Sequence, residues 1–183
     1  MLIVILDRDG VINFDSDNYI RAIDEWRPIP GSIEAIARLF KAGYSIYVAT
    51  NQSGLARGFF SLEDLHMMHQ KLESLVYAAG GEISGIYFCP HHPDDHCDCR
   101  KPNVGLLQRI SQQSNDSLQG CPFVGDSLSD IRAAKAYGCK PVLVETGKGQ
   151  KTLSQLDERI DVFQNLASFV DSLLNSTPTN THK

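Results

Sequence analysis

Five short apolar runs, separated by segments of helical spacing, constrain this chain more than any other feature. They are Leu2 to Leu6, Ser45 to Ala49, Ile86 to Phe88, Pro122 to Val124 and Pro141 to Val144. Near-continuous apolar strands alternating with amphipathic helices are what a parallel sheet covered on both faces requires. The expected fold class is therefore α/β, a Rossmann-like parallel sheet with helices on both faces.

The intervening segments carry helix signals. Pro30-Gly31-Ser32 opens a helix with an apolar face of Ile33, Ile36, Ala37, Leu39 and Phe40, and Gly43 closes it. Ser61, with Glu63 and Asp64 behind it, caps a second that runs to Gly80-Gly81. Asn103 to Ser114, Ser127 to Tyr137 and Leu166 to Leu174 complete the set, with Gly138 as a stop and Asn165 as a candidate cap. At 183 residues a single domain over residues 1–175 is expected. Residues 176–183 form a polar segment that is expected to be loose.

A net charge of −5 without a lysine and arginine stripe argues against binding nucleic acid or an anionic membrane. The opening apolar run is too short for a signal peptide or a spanning helix, so a cytoplasmic protein is expected. No heptad or long apolar surface helix demands association, and a monomer is expected. Three of the five cysteines crowd between positions 89 and 99, which suits a metal site in a reducing compartment better than a disulfide framework.

In open parallel sheets, ligands lie beyond the carboxyl ends of the strands. The chemistry of this chain sits there. The first strand empties into Asp7 and Asp9, which an extended segment would point the same way. Two acids at one spot call for a cation, and magnesium suits hard oxygen ligands. The second strand leads to Thr50-Asn51-Gln52-Ser53-Gly54, the third to the cysteine loop and Arg100-Lys101, the fourth to Gly125-Asp126-Ser127.

Phosphoryl transfer needs a nucleophile, an acid for the leaving oxygen and positive charge on the equatorial oxygens. Asp7 can attack phosphorus; Asp9 can protonate the departing oxygen and later deprotonate water. Asp126, with Asp7 and the Asp9 main-chain carbonyl, can hold magnesium. The Thr50 hydroxyl and Asn51 amide can hold phosphate oxygens, and Lys101 can neutralise developing charge. Asp130, one helical turn past Asp126, either supports the metal site or is an acid favoured near a helix start.

These residues resemble the haloacid dehalogenase-like phosphatases, whose four motifs match Asp7-Arg8-Asp9-Gly10, Thr50, Lys101 and Gly125-Asp126 in order. Between the second and third lies Cys89-Pro90-His91-His92-Pro93-Asp94-Asp95-His96-Cys97-Asp98-Cys99. Three thiolates and one imidazole make a closed, structural zinc site, a zinc-stabilised loop that would fix Arg100 and Lys101 toward the phosphate. Spacing leaves His91, His92 and His96 open as the fourth ligand; the resemblance implies Cys89, His91, Cys97 and Cys99. No large cap domain is expected, so small loops must choose the substrate.

Two branches of that family combine the zinc loop with these motifs. One hydrolyses the C7 phosphate of a heptose 1,7-bisphosphate, supplying heptose for bacterial surface lipopolysaccharide or a related glycan; the other hydrolyses histidinol phosphate. Thr50 to Gly58 with its Ala56-Arg57-Gly58 resembles the former, although the short loop between His91 and Cys97 resembles the latter. A sugar bisphosphate partner is expected, with Arg100 placed to take the distal C1 phosphate and Arg57 among the residues that choose the substrate. The resemblance also implies sugar contacts from the loop of Asp15, Asn18 and Tyr19, beside Asn51, Gln52 and Ser53. A zinc-stabilised module that binds sugar phosphates without hydrolysis is the alternative outside enzymes.

Other signals carry less. His66 and His69 share a helical face, but no acid or cysteine completes a metal site. Met67, Met68, Cys121 and Cys139 read as packing residues, and Gly147-Lys148-Gly149 as a flexible turn without a Walker pattern. Ser53 lacks a nucleophile elbow.

Overall fold

Alternate residues of the first strand face opposite ways, and that alternation builds two cores. The computed structural model describes residues 2–176. Strand β1 (Leu2–Leu6) sends Val4 and Leu6 to one core and Ile3 and Ile5 to the other, all at or near zero exposure. Burying each such side chain contributes about 1.5–3 kcal/mol.

The chain continues through α1 (Ser32–Lys41), β2 (Tyr44–Asn51), α2 (Leu62–Ala78), β3 (Gly85–Cys89), α3 (Gly105–Ser114), β4 (Pro122–Gly125), α4 (Leu128–Tyr137) and β5 (Lys140–Val144). The described residues close with α5 (Gly149–Leu153), β6 (Asp161–Phe163) and α6 (Leu166–Ser176). The six strands are parallel in the order β3-β2-β1-β4-β5-β6. Helices α1, α2 and α6 cover one face through Ile36, Leu39, Leu65, Met68, Leu72 and Phe169. Helices α3 and α4 cover the other through Leu106, Leu107, Ile110, Ala133 and Ala134.

The caps explain where the helices begin. Ser61 and Asp64 form a reciprocal capping box at α2, Ser127 and Asp130 do the same at α4, and Asn165 Oδ1 accepts the Ser168 N–H. Two elements lie outside the sequence expectation: β6 and α5. Each is too short and too polar to give a periodic signal. Phe40, expected on the apolar face of α1, is 40 % exposed, and Met67 likewise points outward while Met68 is buried. Of the segment expected to be loose, Ser176 ends α6 and residues 177–183 lie outside the described residues.

Among the described residues, no cap domain stands over the rim: segment 7–31 holds no helix or strand, and segment 90–104 only the 3-10 turn Pro93–Asp95. Among the described residues, no helix is long and apolar enough to cross a membrane.

Candidate active site

Strand order reverses between β1 and β4, and the crevice at that switch point is where an open parallel sheet offers a ligand site. Asp7 leaves β1 and Asp126 leaves β4 side by side, joined by the Asp7 N–H donating to the Val124 carbonyl at 2.8 Å. Carboxylate oxygens of Asp7, Asp126 and Asp130 all lie within 4.8 Å of one another. Lys101 Nζ, 3 % exposed as a residue, meets Asp7 Oδ1 at 2.8 Å, Asp130 Oδ1 at 2.6 Å and the Ala49 carbonyl at 2.7 Å. Three acceptors use up all its protons.

One ammonium does not balance three buried carboxylates. Burial, opposed by Lys101 and reinforced by Asp130, raises the Asp7 pKa, and burial with Asp7 and Asp130 raises that of Asp126. Burial works against the charged form of Lys101, but Asp130 and Asp7 outweigh it and hold the proton well above the usual lysine range. An all-oxygen donor set with excess negative charge fits a hard divalent cation such as magnesium. The other oxygen of Asp130, Oδ2, accepts from the Ser127 hydroxyl and the Asp126 and Ser127 N–H groups, so Asp130 both caps α4 and anchors Lys101.

Asp9 lines the same cleft, but its carboxylate is not part of this cluster. The strand ends at Leu6, Gly10 turns at φ 83°, and Asp9 bridges to Asn13, so strand periodicity does not extend to position 9. Its Oδ1 accepts from Arg8 Nε (3.0 Å), Arg8 Nη2 (2.8 Å) and Asn13 Nδ2 (2.8 Å); Oδ2 accepts from Arg8 Nη2 (3.0 Å) and Gln52 Nε2 (2.8 Å). Burial would raise its pKa, yet Arg8 and the hydrogen bonds of Asn13 and Gln52 prevail and hold it below the usual carboxylate range.

The cleft, about 290 Å³, is lined by Thr50, Asn51, Gln52, Ser53, Asp15, Tyr19, Arg100 and Lys101 among others. The Thr50 hydroxyl accepts from Gln52 Nε2 at 2.9 Å and keeps its own proton to donate. Both ends of the Asn51 amide engage the Lys101 backbone, at 3.0 and 3.1 Å. Arg100 Nη1 is buried with no hydrogen-bond partner, an orphaned donor in an anion-sized cleft. Arg57 and Asn18 are exposed and stand outside the cleft lining; Asn18 lies on the neighbouring groove beside Phe14 and Arg21.

Sequence reasoning missed the loop after β5. Lys148 donates its N–H to Asp126 Oδ2 at 2.8 Å, and its Nζ pairs with Asp15 at 3.1 Å. Gly10 and Gly147 both adopt positive φ against the Asp126 carboxylate, where a Cβ would strike it. Position at the same rim was the available signal.

The cysteine loop gathers its ligands without disulfides. Cys89 Sγ lies 3.6 Å from Cys97 Sγ and 3.2 Å from Cys99 Sγ, and His91 Nδ1 lies 3.6 Å from Cys89 and 3.2 Å from Cys99. Sulfurs about 2.3 Å from one tetrahedral zinc would be about 3.8 Å apart, so this cage fits that ion. His92 instead takes the Asp94 N–H on its Nδ1, and His96 is exposed. His69 is buried beside Arg8, and His66 stacks edge-on to Phe88. Cys139 is buried and Cys121 half-buried at the entries to β5 and β4.

Residues 98–169 match the family described as HAD-hyrolase-like. The chain is 55 % identical over 173 residues to the D-glycero-beta-D-manno-heptose-1,7-bisphosphate 7-phosphatase of Pseudomonas aeruginosa, covering 94 % of this chain and 97 % of that one. Among solved structures it resembles the D,D-heptose 1,7-bisphosphate phosphatase of Bordetella bronchiseptica in complex with magnesium and phosphate. That likeness has a TM-score of 0.94 and 46 % identity over 97 % of this chain and all of that one. The corresponding enzyme of Burkholderia thailandensis matches with a TM-score of 0.75 and 40 % identity over 95 % of this chain and 99 % of that one.

Proposed function

The chain belongs to the haloacid dehalogenase-like hydrolases, in the branch of its heptose bisphosphatase relatives, and from that premise we propose that it removes the C7 phosphate of D-glycero-beta-D-manno-heptose 1,7-bisphosphate. The observation that carries this is Asp7 at the β1/β4 switch point, 2.8 Å from the buried Lys101 ammonium and within 4.8 Å of Asp126.

An Asp7 oxygen attacks phosphorus and forms an aspartyl phosphate; Asp9 gives a proton to the departing C7 oxygen. Water then attacks the phosphoryl group while Asp9 takes its proton, and phosphate leaves. The Thr50 hydroxyl meets an equatorial oxygen, the Lys101 charge neutralises what develops there, and Asn51 and Asp130 hold Lys101 in place. Asp7, Asp126 and the Asp9 main-chain carbonyl would hold magnesium, which supplies charge neutralisation at the phosphoryl oxygens. Cys89, His91, Cys97 and Cys99 would hold zinc and thereby fix the loop that carries Arg100 and Lys101.

The unpartnered Arg100 Nη1 is a ready donor for the distal C1 phosphate. Asp15, Tyr19, Gln52 and Ser53 line the cleft and would border the sugar, Asn18 lines the neighbouring groove, and the exposed Arg57 is assigned to the substrate from its resemblance to the heptose branch. A cytoplasmic monomer of one domain over residues 1–175 accords with a thiol cluster suited to a reducing compartment. The test is phosphate release, with magnesium present, from both anomers of the bisphosphate and from histidinol phosphate. The beta bisphosphate should give the highest kcat/KM; preference for histidinol phosphate would overturn the substrate, and no release from any of them would overturn the catalysis.

A further inference from the structure

Arg8 is a fully buried arginine between the two active-site aspartates in sequence, and the mechanism leaves it without a role. A buried guanidinium is tolerated only where its N–H groups are met. Here Nε and Nη2 form a fork on the Asp9 carboxylate, and Nη1 faces His69 Nε2 at 3.2 Å. A guanidinium can only donate, so Nε2 is the acceptor and the ring proton sits on Nδ1. His69 is itself buried, its ring centroid 5.8 Å from that of Phe88 on β3. The fork is thus braced from behind by α2 and β3.

The donors are shared unequally between the Asp9 oxygens. Oδ1 takes three contacts, from Arg8 twice and Asn13 once. Oδ2 takes one from Arg8 and one from Gln52, and Gln52 divides its amide between Oδ2 and Thr50 Oγ1. Oδ2 is therefore the oxygen with capacity to spare, on a side chain 21 % exposed to the cleft.

We infer that Arg8, braced by His69, is a positioning residue for the second half of the reaction, holding Asp9 with Oδ2 presented to the water that attacks the phosphorylated Asp7. This rests on the assignment of Asp7 as nucleophile and Asp9 as base. In that step the water oxygen bonds to phosphorus, and the phosphorus–Asp7 oxygen bond breaks with its electron pair returning to Asp7. The water proton passes to Asp9 Oδ2. Lysine in place of Arg8 keeps the charge but loses the fork, leaving Asn13 and Gln52 alone to hold the Asp9 carboxylate.

The experiment uses p-nitrophenyl phosphate with magnesium, because nitrophenolate leaves without a proton and the first half-reaction then needs no help from Asp9. Arg8→Lys should lower steady-state turnover about 10- to 100-fold. Its first turnover should stay within about 3-fold of wild type, giving a burst of about one equivalent of nitrophenolate per enzyme. Acid-quenched protein should carry a phosphoryl group on Asp7 by mass spectrometry. His69→Leu should show the same burst with a smaller loss, and His69→Gln, which keeps an acceptor, should restore turnover.

Loss of the first turnover in parallel with the steady state, without a burst or phosphoenzyme, would overturn the inference, as would unchanged turnover. Should Arg8→Lys fail to fold, the two His69 variants decide on the same criteria. Wild-type protein that releases phosphate from neither the heptose bisphosphate nor the aryl ester would instead sink the nucleophile assignment, and this inference with it.

Discussion

Asp7, Lys101, Asp126 and Asp130 come from two strand ends, a loop and the first turn of α4, spread between positions 7 and 130, whereas Cys89, His91, Cys97 and Cys99 lie within eleven residues from the end of β3. The first group is buried and electrostatically unbalanced; the second is partly exposed and nearly closed on itself. Both are gatherings of ligand atoms, but the sheet assembles one and the local chain the other. The carboxylate cluster is therefore a consequence of the fold. The thiol cluster is what an otherwise irregular loop needs in order to have a fold, and Lys101 is the residue where the two meet.

The largest expected effect separates chemistry from stability. Asp7→Asn should lower phosphate release by roughly 10³-fold or more. The same change removes one of the three crowded carboxylates, so at neutral pH without divalent cation the variant should melt no lower than wild type. Added magnesium should raise the melting temperature of wild type and not that of the variant. Retained turnover, or a collapse of the cation-free fold, would break the view that this cluster is unbalanced by design of its chemistry.

The thiol cluster should behave in the opposite way. Purified protein should contain stoichiometric zinc by metal analysis. Cys99→Ser or strong chelation should lower activity about 10- to 100-fold by loosening the loop that carries Lys101, while the sheet's circular dichroism is kept. A chelated, zinc-free protein with full activity would show that the loop holds itself.

A third, smaller effect tests what lies behind the carboxylates. Burial and the Arg8 guanidinium push His69 down to about 3. The unfolded chain, near the ordinary 6.5, then binds the extra proton, so stability is complete above about pH 6.5 and is lost as pH falls toward 3. Between about pH 7.5 and 5 the share owed to His69 is about 2 kcal/mol. Denaturant melts at both pH values should show His69→Gln losing less stability than wild type by about that amount; equal losses would deny the depressed titration.

The two regions were not equally legible. The thiol cluster could be read at once because its ligands are neighbours in sequence. Asp7, Thr50, Lys101 and Asp126 could be read because each follows an apolar run whose end the sheet places at one rim. What escaped reading were residues that depend on a distant partner and do not themselves follow an apolar run as part of a motif. Arg8 and His69 are 61 positions apart, and Lys148 meets Asp126 and Asp15 only after β5 and β4 are paired. The i, i+2 expectation for Asp7 and Asp9 met its limit for a related reason: the strand ends at Leu6, and side-chain donors rather than backbone periodicity aim Asp9. Strand β6 escaped because three residues, one of them Asp161, carry no pattern.

The smallest effect asks how much of the cysteine loop is held by hydrogen bonds rather than by metal. Asn103 Nδ2 donates to the Cys97 carbonyl at 2.8 Å, the Asn103 N–H donates to the Arg100 carbonyl at 2.8 Å, and the Gly105 N–H donates to the Asp98 carbonyl at 3.0 Å. These bonds tie the far end of the loop to α3, and the side-chain one is exposed to solvent, where its net worth is about 0.5–1 kcal/mol. If four ligands on one ion fix the loop, Asn103→Ala in zinc-loaded protein should cost at most that much in a denaturant melt and leave kcat within about 2-fold. In chelated protein the same substitution should cost more activity, since the hydrogen bond is then among the few constraints left between Cys97 and Lys101. An Asn103→Ala loss as large as that of chelation, with zinc still bound, would move the anchor of Lys101 from the metal cage to the α3 end of the loop.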